Sequence, residues 1–341
     1  MTQDFKLTVI MSNYNQAHLI GGAIDSFLSQ KTDFPVQLII TDDHSTKDNS
    51  VEIIRGYEQK HPEKIKVLYN QENGRYLKNI LRAKSITKTP YFTLLDADDY
   101  WTDDHYLQKA VDFLEKNQDY AIYNANVLAL YEDGHSGPYI KTHLQSADFS
   151  IDDFINDKII FSQTTGMVFR NCIYINGIPD IVKNAVGTIS ERSFEGDADR
   201  YIMHLKYGKA HFVNEISGVY RILSTGIWAG MNTFEKCAIQ AQSYLDYDIY
   251  FDKKYHVFFM NKVWNEIKRC ISCLYEVSTN QDLALREEAK EKFANCLLAC
   301  MAEREVLDMN RASKKKIKFK YKLFLFLYNL LGKKLRRKGL I

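Results

Sequence analysis

Proline is scarce in this 341-residue chain: five residues, at positions 35, 62, 90, 138 and 179, and none after that. A stretch without the strongest helix breaker can run as long helices. From "FEKCAIQAQSYL" to about residue 308 the pattern is amphipathic with little turn punctuation, so a helical module is expected over residues 231–310. Two nucleotide-gripping signatures are also missing. No G-x-G-x-x-G turn follows the first apolar segment and no G-x-x-x-x-G-K-[ST] occurs, which removes the dinucleotide-dehydrogenase and P-loop readings. The amino-terminal "MTQDFKLTVIM" has an acid and only a short apolar run, so it reads as a first strand and not a secretory signal, and a cytoplasmic location is expected. Disulfides are not expected there. The six cysteines lie at 172, 237, 270, 273, 296 and 300, the last four at helical spacing in apolar context. Core packing explains them. A zinc set of Cys270, Cys273, Cys296 and Cys300 would lack the Gly-rich knuckles and histidine partners of such sites.

Negative charge is absent from the carboxyl-terminal tail. From Asn310 onward there are twelve Lys or Arg and no Asp or Glu, so the overall +2 leaves the preceding chain at −10. A nucleic-acid partner is not expected for so acidic a body. The tail's apolar centre, "LFLFLYNLL", is about half the roughly 20 residues a spanning helix needs. Flanked by lysines and a second basic cluster, residues 311–341 read as an amphipathic segment for peripheral contact with an anionic membrane, a partner helix being the alternative.

What is present is a βαβ rhythm. Apolar, β-rich segments recur at 7–11, 36–41, 64–69 and 91–96, separated by stretches with helical periodicity such as "AHLIGGAIDSFLSQ" and "NSVEIIRGYEQK". The fold class is therefore α/β with a mostly parallel central sheet buried on both faces. Polar clusters follow three of these strands: "SNYN", "DDHST" and "ADD". The carboxyl ends of parallel strands converge on one crevice, where such folds bind ligands. Three carboxylates within four positions, Asp96, Asp98 and Asp99, repel one another there. Facing a phosphate-bearing ligand they make sense with a divalent cation between, since Mg²⁺ and Mn²⁺ take hard oxygen ligands from one or two carboxylates and complete their shell with phosphates.

The strings "VIMSNYN", "IITDDHST", "NGRYLKN", "LLDADDYW" and "GDADRYIMHLKYGKAHFVNEISGVYRILSTGIW", in that order over about residues 5 to 230, resemble the family 2 glycosyltransferases of GT-A fold. The resemblance implies a nucleotide-sugar-binding domain over residues 1–230, with "DAD" as a DXD motif and Mn²⁺ or Mg²⁺ as cofactor. It implies Asp98 as metal ligand and Asp96 as the ribose-side acid. Asp43, with Asp42 beside it, matches the acid that reads the base of a UDP-sugar, with Asn13 and Tyr14 bordering the nucleoside. Arg75 and Lys78 fall near base and phosphates, and Arg221 and Trp228 in the loop that closes over diphosphate and saccharide acceptor. Asp197 matches the catalytic base of an inverting transfer. Two departures stand out: His44 where the family commonly has a small residue, and Leu223 where it often has a histidine.

Each assignment has a structural competitor. Asp197 is also a good N-cap for "DRYIMHLKYG". Asp42 and Asp43 are also turn residues, with Ser45 or Asp48 capping the next helix. Asp99 and Asp103 read as caps for the helix after "DADDYW", which ranks Asp99 below its neighbours. His18, His105 and His204 read as ordinary surface or packing residues.

Overall fold

A computed structural model describes residues 4–224, 228, 230–273 and 283–310. The basic segment 311–341 lies outside the described residues. The chain begins β1 (Leu7–Asn13), α1 (Ile20–Leu28), β2 (Val36–Asp42), α2 (Ser50–Lys60), β3 (Ile65–Tyr69), α3 (Arg75–Ile86) and β4 (Tyr91–Leu94). These four strands lie in the order β3-β2-β1-β4, all parallel. Side-chain alternation explains why the apolar runs are continuous. Leu7, Val9, Met11, Leu38 and Ile40 enter one core with α1 residues Ile20, Ala23, Ile24 and Phe27, while Ile10, Ile39, Phe92 and Leu94 enter another with α3 residues Leu77, Ile80 and Leu81. A sheet covered on both faces needs apolar residues at every position. The fourth strand is shorter than the apolar run 91–96, so Asp96 stands in the turn beyond its end.

Next come β5 (Tyr100–Trp101), α4 (Tyr106–Lys116), β6 (Tyr120–Tyr131), β7 (Ser136–Pro138), β8 (Ser146–Phe149), α5 (Ile151–Ile155), β9 (Met167–Arg170), α6 (Asp180–Lys183), α7 (Asp197–His204) and β10 (Lys209–Ile222). They extend the sheet as β4-β9-β6-β10-β5. β6 and β10 run parallel, whereas β9 is antiparallel to β4 and β6. The order reverses direction at β1, with β2 on one side and β4 on the other. That switch point opens the crevice beyond the carboxyl ends of β1 and β4.

The expected helical module follows as α8 (Thr233–Tyr250), α9 (His256–Ser272) and α10 (Leu283–Asn310). Asn232 opens α8 by accepting the Glu235 N–H at 3.0 Å while Glu235 accepts the Asn232 N–H at 3.1 Å, a reciprocal capping box. Phe234, Cys237, Val263, Ile267, Cys270, Cys296 and Cys300 pack together between the three helices. Tyr247, Tyr250, Phe251 and Phe259 instead join the core that holds Phe92 and Phe169. Among the described residues only Asp103, Asp104 and His105 bring three metal-capable atoms within 4.8 Å of one another, and Cys273 packs partly buried against the cluster of Cys237, Cys270, Cys296 and Cys300. No described helix is long and apolar enough to cross a membrane.

Candidate active site

The crevice is built from four loops. At the end of β1, Asn13 is fully buried, and its amide donates to Asp42 Oδ1 at 2.7 Å, Ser45 Oγ at 3.1 Å and Ser50 Oγ at 3.2 Å. Asp42 also accepts the Ser45 N–H at 3.0 Å. Both residues therefore shape the loop after β2 from within. The N-cap position of α2 is Asn49 and not Ser45 or Asp48; Asp48 accepts the Ser50 N–H at 3.0 Å and the Ala17 N–H at 2.8 Å, tying the first loop to the second. Tyr14, 45% exposed, is the member of "SNYN" that faces outward. His44 adopts φ 60°, a left-handed conformation better suited to glycine than to a bulky side chain.

Asp43 points toward the third loop. Its Oδ1 accepts the Gly74 N–H at 2.6 Å and the Asn70 amide at 3.0 Å, docking the start of α3 on the end of β2. Arg75, at φ 63°, and Lys78 occupy that first helical turn, both exposed. Lys78 reaches Glu72 at 3.5 Å and lines a cleft of about 390 Å³ with Tyr69, Asn70, Asn79 and Arg82. The base-side acid and two cations expected near phosphates thus share one wall.

The opposite wall is the "DAD" turn after β4, closed by the Asp99 N–H donating to Asp96 O at 3.0 Å. Asp99 is buried, accepting Thr165 Oγ1 at 2.7 Å and the Arg221 N–H at 2.9 Å. The Arg221 guanidinium donates to the Asp98 carbonyl and lies 4.6 Å from the Tyr100 ring centre. β10 can come so close because residue 218 is glycine: a Cβ there would sit 2.6 Å from the Tyr100 carbonyl. Burial first, then the charges of Asp98 and Asp197, push the Asp96 carboxyl up to about 7. Burial also raises Asp98, against the opposing pull of Arg221. Asp99 is held well above the carboxylate range by burial and by its two neighbours.

Asp197, first residue of α7, completes the constellation. Its Oδ1 accepts from Thr164 Oγ1 and from Arg200 Nη2. Arg200 is buried and also donates to Thr164 Oγ1 at 2.7 Å and to the Glu195 carbonyl at 2.6 Å. The cap of α7 belongs to another acid: Asp199, whose Oδ2 accepts the Gly196 N–H at 2.7 Å. Asp197 is thereby free of the capping duty that competed for it, and both of these bonds fall on its Oδ1. Burial first, with the Asp197 charge adding to it, raises the proton affinity of Tyr76, Tyr139 and Tyr220.

These residues suit a divalent cation. Asp96 and Asp98, both with raised proton affinity, gain from a positive ion, and Mg²⁺ or Mn²⁺ needs only one or two protein carboxylates when phosphates supply the rest. Of the sequence-expected residues, Asp43 meets the start of α3 that carries Arg75 and Lys78, while Asp96, Asp98, Asp197 and Arg221 form a second group at the end of β4. Trp228, 48% exposed, meets Lys236, whose ammonium lies 5.8 Å from its ring centre. Sequence reasoning missed Thr164, Thr165 and Arg200. It also undervalued Asp99, which caps no helix and instead joins the turn to β10 and to residue 165.

Comparison with known proteins agrees with this geometry. The profile described as Glycosyl transferase family 2 matches residues 8–176. An uncharacterized protein of Mycobacterium tuberculosis is 29% identical over 222 residues, 65% of this chain and 60% of that protein, so the chain spans about three-fifths of that relative's length. The glycosyltransferase GlyG of Streptococcus pneumoniae is 24% identical over 225 residues, 65% of this chain and 72% of GlyG. Among solved structures, Staphylococcus aureus TarS 1-349 in complex with UDP-GlcNAc superimposes with a TM-score of 0.59 at 14% identity, covering 87% of this chain and 82% of TarS 1-349. The mannosyltransferase PcManGT of Pyrobaculum calidifontis, in complex with GDP-Man and Mn²⁺, gives 0.50 at 16% identity over 87% of this chain and 75% of its own. These likenesses establish the GT-A fold. Motif order, sheet topology and matched profile agree, and residues 8–176 of the chain form a glycosyl transferase family 2 domain.

Proposed function

We propose that the chain transfers a sugar from a UDP-sugar to a saccharide acceptor, with inversion at the anomeric carbon and with Mn²⁺ or Mg²⁺ as cofactor. The observation that carries this reading is the meeting of the "DAD" turn with Asp197 at the carboxyl end of the sheet, where Thr164 bonds Asp197 and the Asp197 charge helps raise the Asp96 carboxyl. Asp98 is the residue that would hold the cation, with Asp96 on the ribose side. When bound, the cation acts as a Lewis acid on the leaving diphosphate. Asp43, Tyr14, Arg75 and Lys78 form the wall that receives nucleoside and phosphates. Asp197 Oδ2 takes the proton of the attacking acceptor hydroxyl while the bond from the anomeric carbon to the diphosphate oxygen breaks, and Arg200 and Thr164 fix the carboxylate's orientation. General-base help of this kind contributes about 10² to 10⁴ in rate.

We further infer a cytoplasmic enzyme held peripherally at an anionic membrane by residues 311–341, with a lipid-linked saccharide as acceptor in polysaccharide biosynthesis. The support is the sequence of that segment: twelve cations around an apolar centre too short to span. The transfer reading is tested by measuring nucleotide release from a panel of UDP-hexoses, UDP-N-acetylhexosamines and GDP-mannose, with Mn²⁺ or with chelator. Metal-dependent UDP release that Asp98→Asn abolishes supports it. Preference for GDP-mannose overturns the uridine assignment, and full activity in chelator overturns the role of Asp98.

A further inference from the structure

We propose that the carboxyl-terminal helices position the catalytic loop, with Asp246 of α8 as the positioning residue. The inference rests on the reading of Asp197 as general base. The turn Glu191–Phe194 leads through Glu195 and Gly196 directly into Asp197. The side chains of Ser190, Arg192 and Ser193 are met by acids of the helical module. Asp246, buried, accepts Ser193 Oγ at 2.6 Å through Oδ2 and Ser190 Oγ at 2.9 Å through Oδ1. Gln242, one turn earlier on α8, donates to both Asp246 oxygens at 3.2 Å, and Asn295 of α10 donates to Gln242 Oε1 at 2.8 Å. On the other side of the turn, Arg192 donates to Glu288 of α10 at 2.8 Å, and fully buried Lys292 reaches the same carboxylate at 3.0 Å. Arg192 also lies 3.8 Å from Glu195, beside the Glu195 carbonyl that Arg200 grips while orienting Asp197.

Two helices thus place a carboxylate on either side of one short turn, and that turn fixes where α7 begins. A small error in the position of a catalytic group is costly, since reacting atoms must be held close to their attack geometry. Phe194 of the same turn packs into the apolar core that Tyr247, Tyr250 and Phe259 of the helical module share with Phe92 and Phe169. The helices therefore do more than cover the sheet: they set the entrance of the loop that carries the base.

The test uses the full chain and two substitutions. Asp246→Asn keeps one acceptor oxygen, and Asp246→Leu keeps neither. Hydrogen exchange should show at least a tenfold loss of protection at the amides of residues 195–200 in the leucine variant, a smaller loss in the asparagine variant, and unchanged protection in β1 and β2, which also verifies that both fold. Mn²⁺-dependent UDP release from the best UDP-sugar should fall in kcat by roughly tenfold for Asp246→Leu, partly rescued in Asp246→Asn, while the dissociation constant for UDP stays within about twofold. In an Asp197→Asn background, Asp246→Leu should lower kcat no further, because groups acting through one another are not additive. Unchanged exchange at residues 195–200, or full additivity with Asp197→Asn, overturns the positioning role. An Asp197→Asn protein that keeps its kcat would instead overturn the base assignment, so the two failures are distinguishable.

Discussion

Replacing Arg200 by leucine should be the most damaging single change near the crevice that leaves every carboxylate in place. The guanidinium is 2% exposed and makes three charge-assisted contacts, to Asp197, Thr164 Oγ1 and the Glu195 carbonyl. It is also the cation that opposes the mutual repulsion of Asp96, Asp197 and Asp199, whose charges in turn favour its own protonated form. Breaking a buried ion pair by removing one partner costs about 3–5 kcal/mol, since the remaining charge loses its compensation. At roughly 2.1 cal/mol/K per residue of unfolding entropy, a 341-residue chain converts that cost into a fall of about 4–7 °C in Tm. Lysine should recover little of it, because one ammonium cannot span the three acceptors that a planar fork reaches. Differential scanning fluorimetry on Arg200→Leu and Arg200→Lys reads the effect. A leucine variant melting within 1 °C of wild type would refute the claim that the acid cluster depends on Arg200.

Two further outcomes follow from the same physics. His204 is fully buried, its Nδ1–H donating to the Arg200 carbonyl at 2.6 Å, and burial lowers its pKa from 6.5 to about 3. A depressed folded-state pKa gives stability that is complete above 6.5 and is lost as pH falls toward 3, at about 1.4 kcal/mol per pH unit. Urea denaturation across pH 4 to 7 should show this acid limb, flatter in His204→Phe; equal slopes would exclude His204 as its source. Flotation with anionic vesicles should recover the full chain and not a chain ending at Asn310, with recovery falling as salt rises, and equal recovery of both would defeat the electrostatic anchor.

The elements most legible in the sequence were those whose signal is local. Strands β1 to β4 announced themselves because a doubly covered parallel sheet needs unbroken apolar runs, and the polar clusters after them marked one crevice. The helical module showed in its amphipathic period and its lack of proline. What escaped was every contact made across the chain. Asp99 looked like a helix cap because α4 follows it, yet that helix starts only at Tyr106, after β5, and the partners of Asp99 are Thr165 and Arg221, 66 and 122 positions away. Arg200 sat unmarked in "DADRY", since its value lies in reaching Thr164 across 36 positions. Asn13 reads as bordering the nucleoside and Asp42 as standing beside the base-reading acid, and in the structure both pin the loop after β2 from inside. The antiparallel β9 was missed because "MVFR" is too short to carry a period of its own.

The central claim is that Asp197 acts as the general base beside the metal-holding turn, and Asp197→Asn tests it most directly. The amide keeps the size of the side chain and one acceptor for Arg200 and Thr164 but cannot take a proton from an acceptor hydroxyl. Calorimetry and kinetics on one preparation, with UDP, Mn²⁺ and the UDP-sugar selected from the panel, should give a UDP dissociation constant within about twofold of wild type and a kcat lower by about 10² to 10⁴. A kcat equal to wild type with intact metal dependence would contradict the account and return Asp197 to a purely structural place at the start of α7.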